Sequence, residues 1–300
     1  MNKSVREVFE SVSRCPNVRI CLETTEPHPC RTVVHYQRRE RGVTSYAEFQ
    51  MPEPWVGQID IAPILFVASN PSIGDDDHAS GRTPDDLIWE SHHLAHGGGS
   101  RQYILDGIRT VTPDGTPNKA GRYWSGALAR ARELIPDRPV VPGCDYALTE
   151  IVHCKSPHEI GVGEAAHTCA HRHMENVMSI SAARVVIAVG AFAHRWFLGA
   201  GVSIPEAPIE SMLGGKTRLV AFTAHFSPSR GGSQMLSKRY SGEILAAPAG
   251  PAAVREHDAS TRGQSPLRFH FAAIETANLR LRDGCYIIVM FGHDFRADTA

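Results

Sequence analysis

The sequence has no apolar stretch long enough to span a bilayer, and its first ten residues, Met1–Glu10, are charged where a secretory leader carries an apolar core. These gaps argue against a helical membrane span and lead us to expect a cytoplasmic protein. The chain has no charge excess of either sign. Its formal net charge is −1, so a nucleic-acid partner would have to be met by a local basic groove rather than by a basic surface overall. It has no internal repeats and no serine nucleophile elbow, which leaves an α/β small-molecule hydrolase poorly supported. Its seven cysteines are odd in number and irregularly spaced. In a cytosolic chain such cysteines are free thiols or metal ligands rather than disulfides. What is present is 300 residues, 42% of them apolar, enough for one large domain or two modest ones.

The chain is organised around Ile64–Asp77. Ile64–Val67 is a continuous apolar run, Ala68–Ser72 is small and polar with one proline, and three aspartates follow. A short apolar run broken by small residues reads as a buried parallel strand entering a tight loop at its carboxyl end, where open α/β sheets bind ligands. Asn70 stands there, held by Pro71. Taken alone it reads rather as an ordinary turn asparagine at a strand–loop junction, and it is the later His225 segment that turns the reading toward a site.

Three further strands end in distinctive loops. Tyr146–Val152 runs into His153-Cys154-Lys155-Ser156-Pro157, Arg184–Val189 closes at Gly190, and Leu219–Thr223 runs into Ala224-His225-Phe226-Ser227-Pro228-Ser229-Arg230. Helical spacing marks Val5–Val12, Leu87–Leu94, a segment from Tyr123 to Ile135, Glu164–Met178 and Ala191–Leu198. Arg109–Ala120 reads as a polar loop, Pro52-Glu53-Pro54-Trp55 as an extended lead into the sheet, and Ala246–Gly263 as a linker. The alternation is βαβ arithmetic. We expect a three-layer αβα fold with a central four-stranded parallel sheet over residues 58–245, a segment 1–57 packed on it, and a tail 246–300.

In order, these loops resemble motifs of the uracil-DNA glycosylase superfamily. Ala68-Ser69-Asn70-Pro71-Ser72 is similar to Gly-x-Asn-Pro-Gly of the mismatch-specific and single-strand-selective branches, and Arg122-Tyr123-Trp124 to part of Asn-Arg-Phe-Trp. Thr149–Pro157 resembles Thr-Asn-Val-Val-Lys-Cys-Arg-Pro-Pro of the iron–sulfur branch. Val185–Gly190 with Ala193 resembles that branch's apolar strand, glycine and alanine. His225-Phe226-Ser227-Pro228 matches His-Pro-Ser-Pro at three positions of four. The resemblance covers roughly residues 60–245. It implies a DNA glycosylase that flips a uracil or related damaged base out of DNA and hydrolyses its N-glycosidic bond. The rival is a catalytically silent nucleic-acid-binding protein of the same fold.

Such chemistry needs a donor for the leaving base, a positioned water and a stacking surface. His225 is the candidate donor to the base O2. Asn70 can accept from a water and orient it but cannot act as a strong base. Ser69, Ser72, Ser227, Ser229 and Arg230 suit the substrate and its phosphates. Tyr123 reads equally as core or as the ring on which a base stacks. Glu150 departs from the family, whose iron–sulfur branch has an asparagine there that reads uracil as donor and acceptor. A carboxylate only accepts unless protonated, which opens the base preference.

The resemblance also implies a [4Fe–4S] cluster, which needs four thiolates. Cys154 and Cys169, fourteen residues apart, match the branch's spacing. The family's N-terminal Cys-x-x-Cys is replaced by Cys15, Cys21 and Cys30, of which Cys15 and Cys21 are the expected pair. Four ordinary thiols in a reduced cytosol is the equal alternative.

Overall fold

A computed structural model describes residues 3–74, 79–97, 102–112, 114–202 and 209–226. Ser4 opens α1 (Val5–Ser13) with a reciprocal capping box to Glu7, and the spacing of Val5, Val8, Phe9 and Val12 turns one face inward. Two short helices follow, α2 (Pro16–Glu23), with its proline in the first turn, and α3 (Arg31–Glu40). Next come β1 (Ile64–Ala68) and α4 (Asp85–His92), then a small antiparallel meander of β2 (Ile104–Leu105), β3 (Arg109–Val111) and β4 (Pro117–Ala120). The meander replaces the polar loop expected over Arg109–Ala120. Its strands are too short and too exposed to carry a period-two apolar pattern. The order continues with α5 (Arg122–Leu134), β5 (Tyr146–Glu150), a single 3₁₀ turn at Pro157–Glu159, α6 (Val162–Ile180), β6 (Val185–Val189), α7 (Gly190–Gly199), β7 (Ile209–Leu213) and β8 (Lys216–Thr223).

The main sheet is mixed, with five strands in the order β5-β1-β6-β8-β7. Four are parallel, as expected, and β1, β5 and β6 are buried along their whole length, which is why β1 and β6 read as unbroken apolar runs, whereas β5 ends in the buried polar pair Thr149 and Glu150. The fifth corrects the expected four-stranded count. β7 pairs antiparallel with β8 through a two-residue turn, Gly214-Gly215, both with positive φ. A Cβ on Gly214 would stand 2.3 Å from the Met178 carbonyl carbon, so glycine is also needed for the hairpin to approach the end of α6. Buried Arg218 locks that approach. Its guanidinium donates to the carbonyls of Leu213, Ala183, Met178 and Ser181.

Helices flank the sheet, an α/β arrangement consistent with three αβα layers. α1 and α3 pack on α6, and α7 packs against β1, β6 and β8. The N-terminal helices and the sheet share one apolar core. Outside β5 the chain at Val56 bridges antiparallel to Leu148, which covers that edge. The connection leaving β1 runs to β5 on one side, and the connection leaving β6 runs to β8 on the other. The β1–β6 boundary is therefore the topological switch point, the place at which sheets of this kind bind ligands on the carboxyl edge. Among the described residues, no helix is long and apolar enough to cross a membrane.

Candidate active site

Asn70 and His225 occupy equivalent places on this edge. Ala68 is the last paired residue of β1 and Thr223 the last of β8, and each candidate stands two residues further on. Both therefore lie at the carboxyl edge of one parallel sheet. The Asn70 Nδ2 donates to the carbonyls of Pro71 and Ser156 and to Ser156 Oγ, at 2.9, 2.9 and 3.2 Å. That commitment turns the amide nitrogen toward the loop after β5 and fixes the direction of its Oδ1. Ser69 is buried beneath it, and Ser72 is exposed.

His225 meets α5. Its ring centroid lies 5.6 Å from that of Tyr123, which in turn lies 5.4 Å from Phe226. Phe226 is seated edge-on against Phe66 of β1, which anchors the segment after β8 to the core. On the other side lies Gly190, whose φ of +84° favours glycine. A Cβ there would stand 3.4 Å from that of His225. Partial burial holds the His225 pKa below its ordinary value, with Glu159 acting the other way. The imidazole is thus neutral at pH 7. Glu159 and its neighbour His158 hold positive φ in the 3₁₀ turn after β5, so the segment that bonds Asn70 also acts on His225.

Tyr123 is half-buried, but its hydroxyl is fully enclosed and has no hydrogen-bond partner among the described residues. Burial, followed by the carboxylates of Glu150 and Glu53, pushes its pKa well up. Glu150, the last residue of β5, pairs in register with Ala68, is 4% exposed, and has no partner for Oε2 among the described residues. Behind it lies a buried charge group that the sequence reading did not assign. Glu53 is 3.1 Å from Lys155 Nζ and 3.6 Å from His92 Nε2. Burial pushes Glu53 up, but Lys155 and His92 outweigh it and hold the carboxyl well below the usual range. Its backbone is fixed as well, since its N–H donates to the His153 carbonyl and its own carbonyl accepts from His153 Nδ1. The one available signal was a glutamate between two prolines in an otherwise apolar stretch, Met51–Val56.

The cysteines lie elsewhere. All six described ones are free thiols. Cys15, Cys30, Cys154 and Cys169 line one small void together with His153 and His173. Cys15 Sγ is 3.3 Å from His173 Nε2. Cys21, expected as the partner of Cys15, is not part of this lining and has its Sγ 3.4 Å from His28 Nδ1. Burial pushes all four lining thiols up, Cys30 to about 12, and Cys15 and Cys30 further raise Cys154 and Cys169. Among the described residues, no three His, Cys, Asp or Glu side chains stand in a metal-holding arrangement.

Ser227, Ser229 and Arg230 lie outside the described residues, as do Gly231, Gly232, Lys238, Arg239 and the tail from 246. Compared with known proteins, the chain matches no family model and no curated sequence.

Proposed function

We propose that this protein is a DNA glycosylase that removes uracil or a related damaged base, with Asn70 and His225 as its catalytic residues. One observation carries the reading. A candidate water-orienting amide and a candidate leaving-group donor stand at matching positions on one carboxyl edge, and an aromatic ring lies 5.6 Å from the imidazole. Cleavage of the N-glycosidic bond leaves negative charge on the departing base. The neutral His225 imidazole donates an N–H to the base O2 as that charge develops, while Asn70 Oδ1 accepts from the attacking water. As the C1′–O bond replaces the C1′–N bond, the proton the water gives up ends on the departing base anion. Tyr123 offers its ring to the extracted base. Ser72 and, beyond the described residues, Ser227, Ser229 and Arg230 meet phosphates.

The four thiols around the void fit a soft-metal centre by donor type, and Cys15, Cys30, Cys154 and Cys169 would hold a [4Fe–4S] cluster. Such a cluster would supply a cross-link between the N-terminal helices and α6. Its binding would displace protons that burial now keeps on sulfur.

The test is release of uracil from uracil-containing single-stranded DNA. Wild-type protein should release the base. His225→Ala should slow release by about two to three decades, the loss seen when an oxyanion donor is removed. Binding of the strand without release would instead make the protein a silent nucleic-acid binder. Normal release by His225→Ala would overturn the site assignment.

A further inference from the structure

The Asn70 side chain is committed on one side only. Its Nδ2 has two hydrogens and meets three acceptors, the Pro71 carbonyl, the Ser156 carbonyl and Ser156 Oγ, at 2.9, 2.9 and 3.2 Å. Two of the three are carbonyls, which only accept, so the atom facing them must be the amide nitrogen and not Oδ1. Among the described residues, nothing donates to Oδ1. An amide turned by half a rotation keeps its shape but exchanges donor and acceptor. Oδ1 would then face two carbonyls, and a water in front of Asn70 would meet N–H groups in place of an acceptor.

Ser156 does most of the fixing. It accepts twice from Nδ2, and its backbone N–H donates to the Pro71 carbonyl at 3.2 Å, so one residue ties the Asn70-Pro71 pair at three points. In the iron–sulfur motif that Thr149–Pro157 resembles, the matching position is proline, which has neither the N–H nor the hydroxyl. Two of the three ties would be lost with that residue.

We infer that Ser156 is a positioning residue for the proposed hydrolysis, holding the Asn70 amide in the orientation that leaves Oδ1 open to accept from the attacking water. The inference rests on the glycosylase reading and deepens it. The clamp is itself anchored. Ser156 is buried and extended. On its amino side, Lys155 Nζ is 3.1 Å from the buried Glu53 carboxylate, and the Glu53 backbone is bonded in both directions to His153. On its carboxyl side, Pro157 opens the 3₁₀ turn. The serine is therefore held from both directions and does not follow the amide if it rotates. An acceptor fixed in this way needs no reorganisation at the moment of attack.

Single-turnover release of uracil from a single-stranded oligonucleotide tests this through a double-mutant cycle. Ser156→Ala keeps the backbone bonds and removes only the Oγ acceptor. It should slow release by about twofold to tenfold, the worth of one hydrogen bond, with strand affinity unchanged. Ser156→Thr, which keeps the hydroxyl, should release at close to the wild-type rate. Asn70→Ala should be slower than either, and adding Ser156→Ala to it should slow release no further, because the serine acts only through the amide. Hydrogen exchange of the Asn70 side-chain amide, followed by NMR in the intact protein, is a readout independent of turnover and should quicken several-fold in Ser156→Ala. Losses that add in the double variant, an unchanged rate in Ser156→Ala, or unchanged amide exchange overturn the inference and leave the glycosylase reading standing. Absence of release by the wild type overturns both.

Discussion

The Lys155 ammonium and the Glu53 carboxylate lie 3.1 Å apart, with side chains only 3% and 11% exposed, although 102 residues separate them in sequence. Desolvating two such charges is expensive, and their attraction repays it only while both are present. Lys155→Met should therefore destabilise the protein by about 3–5 kcal/mol at pH 7, measured by urea unfolding. Glu53 has a folded pKa below its unfolded value of 4.5. Its stabilisation is fully present above pH 4.5 and is lost as pH falls through the folded value. Without the lysine, burial raises the pKa of the unpaired carboxyl, so the gap between wild type and Lys155→Met should narrow progressively as pH falls from neutrality through pH 4.5. A gap that stays constant with pH would mean that the pair is not the source of the loss.

Tyr123 separates ring from hydroxyl. Its ring packs against His225 and Phe226, while its hydroxyl is buried with no partner among the described residues. Tyr123→Phe should therefore leave single-strand affinity within about twofold of wild type, since it removes an unsatisfied polar atom and keeps the stacking face. Tyr123→Ala should weaken binding by about 1–3 kcal/mol, the worth of one stacked base, and slow excision with it. Fluorescence titration with a labelled oligonucleotide checks both. Unchanged affinity and rate in a folded Tyr123→Ala protein would refute the stacking role.

The core strands were legible because burial on both faces leaves Ile64–Ala68 and Val185–Val189 without polar interruption and Tyr146–Glu150 polar only at its last two residues. Asn70 and His225 each follow an apolar run directly, which is why the sequence placed both at the carboxyl edge of one parallel sheet. β7 was not legible. Ile-Glu-Ser-Met-Leu is a half-exposed edge strand with neither a period-two pattern nor an apolar run, and only Gly214-Gly215 after it marks a hairpin. The Glu53–Lys155 pair was illegible for another reason. Each residue is locally an ordinary charged side chain, and only the passage of Pro52–Val56 along the outer edge of β5 brings them together. Local propensity carries no record of such a meeting.

The choice among the N-terminal cysteines was likewise a matter of packing. Spacing favoured Cys15 with Cys21, but α2 and α3 each begin at a cysteine, and it is these two helix starts, Cys15 and Cys30, that reach the void shared with Cys154 and Cys169. If the void holds a cluster, protein purified without air should be brown, absorb broadly in the visible, and contain about four irons per chain. Cys30→Ala and Cys154→Ala should bleach it and lower the iron content, while Cys21→Ala should keep both colour and iron. Chelation should lower the melting temperature of the loaded protein, because α1–α3 would lose a tether to α6 and binding free energy is folding free energy for such sites. Zinc in place of iron would fit the same four thiols, and elemental analysis separates the two metals. A colourless, metal-free and stably folded preparation would show that these are four ordinary buried thiols. That result would leave the chemistry proposed at the carboxyl edge untouched, since none of its steps involves the void.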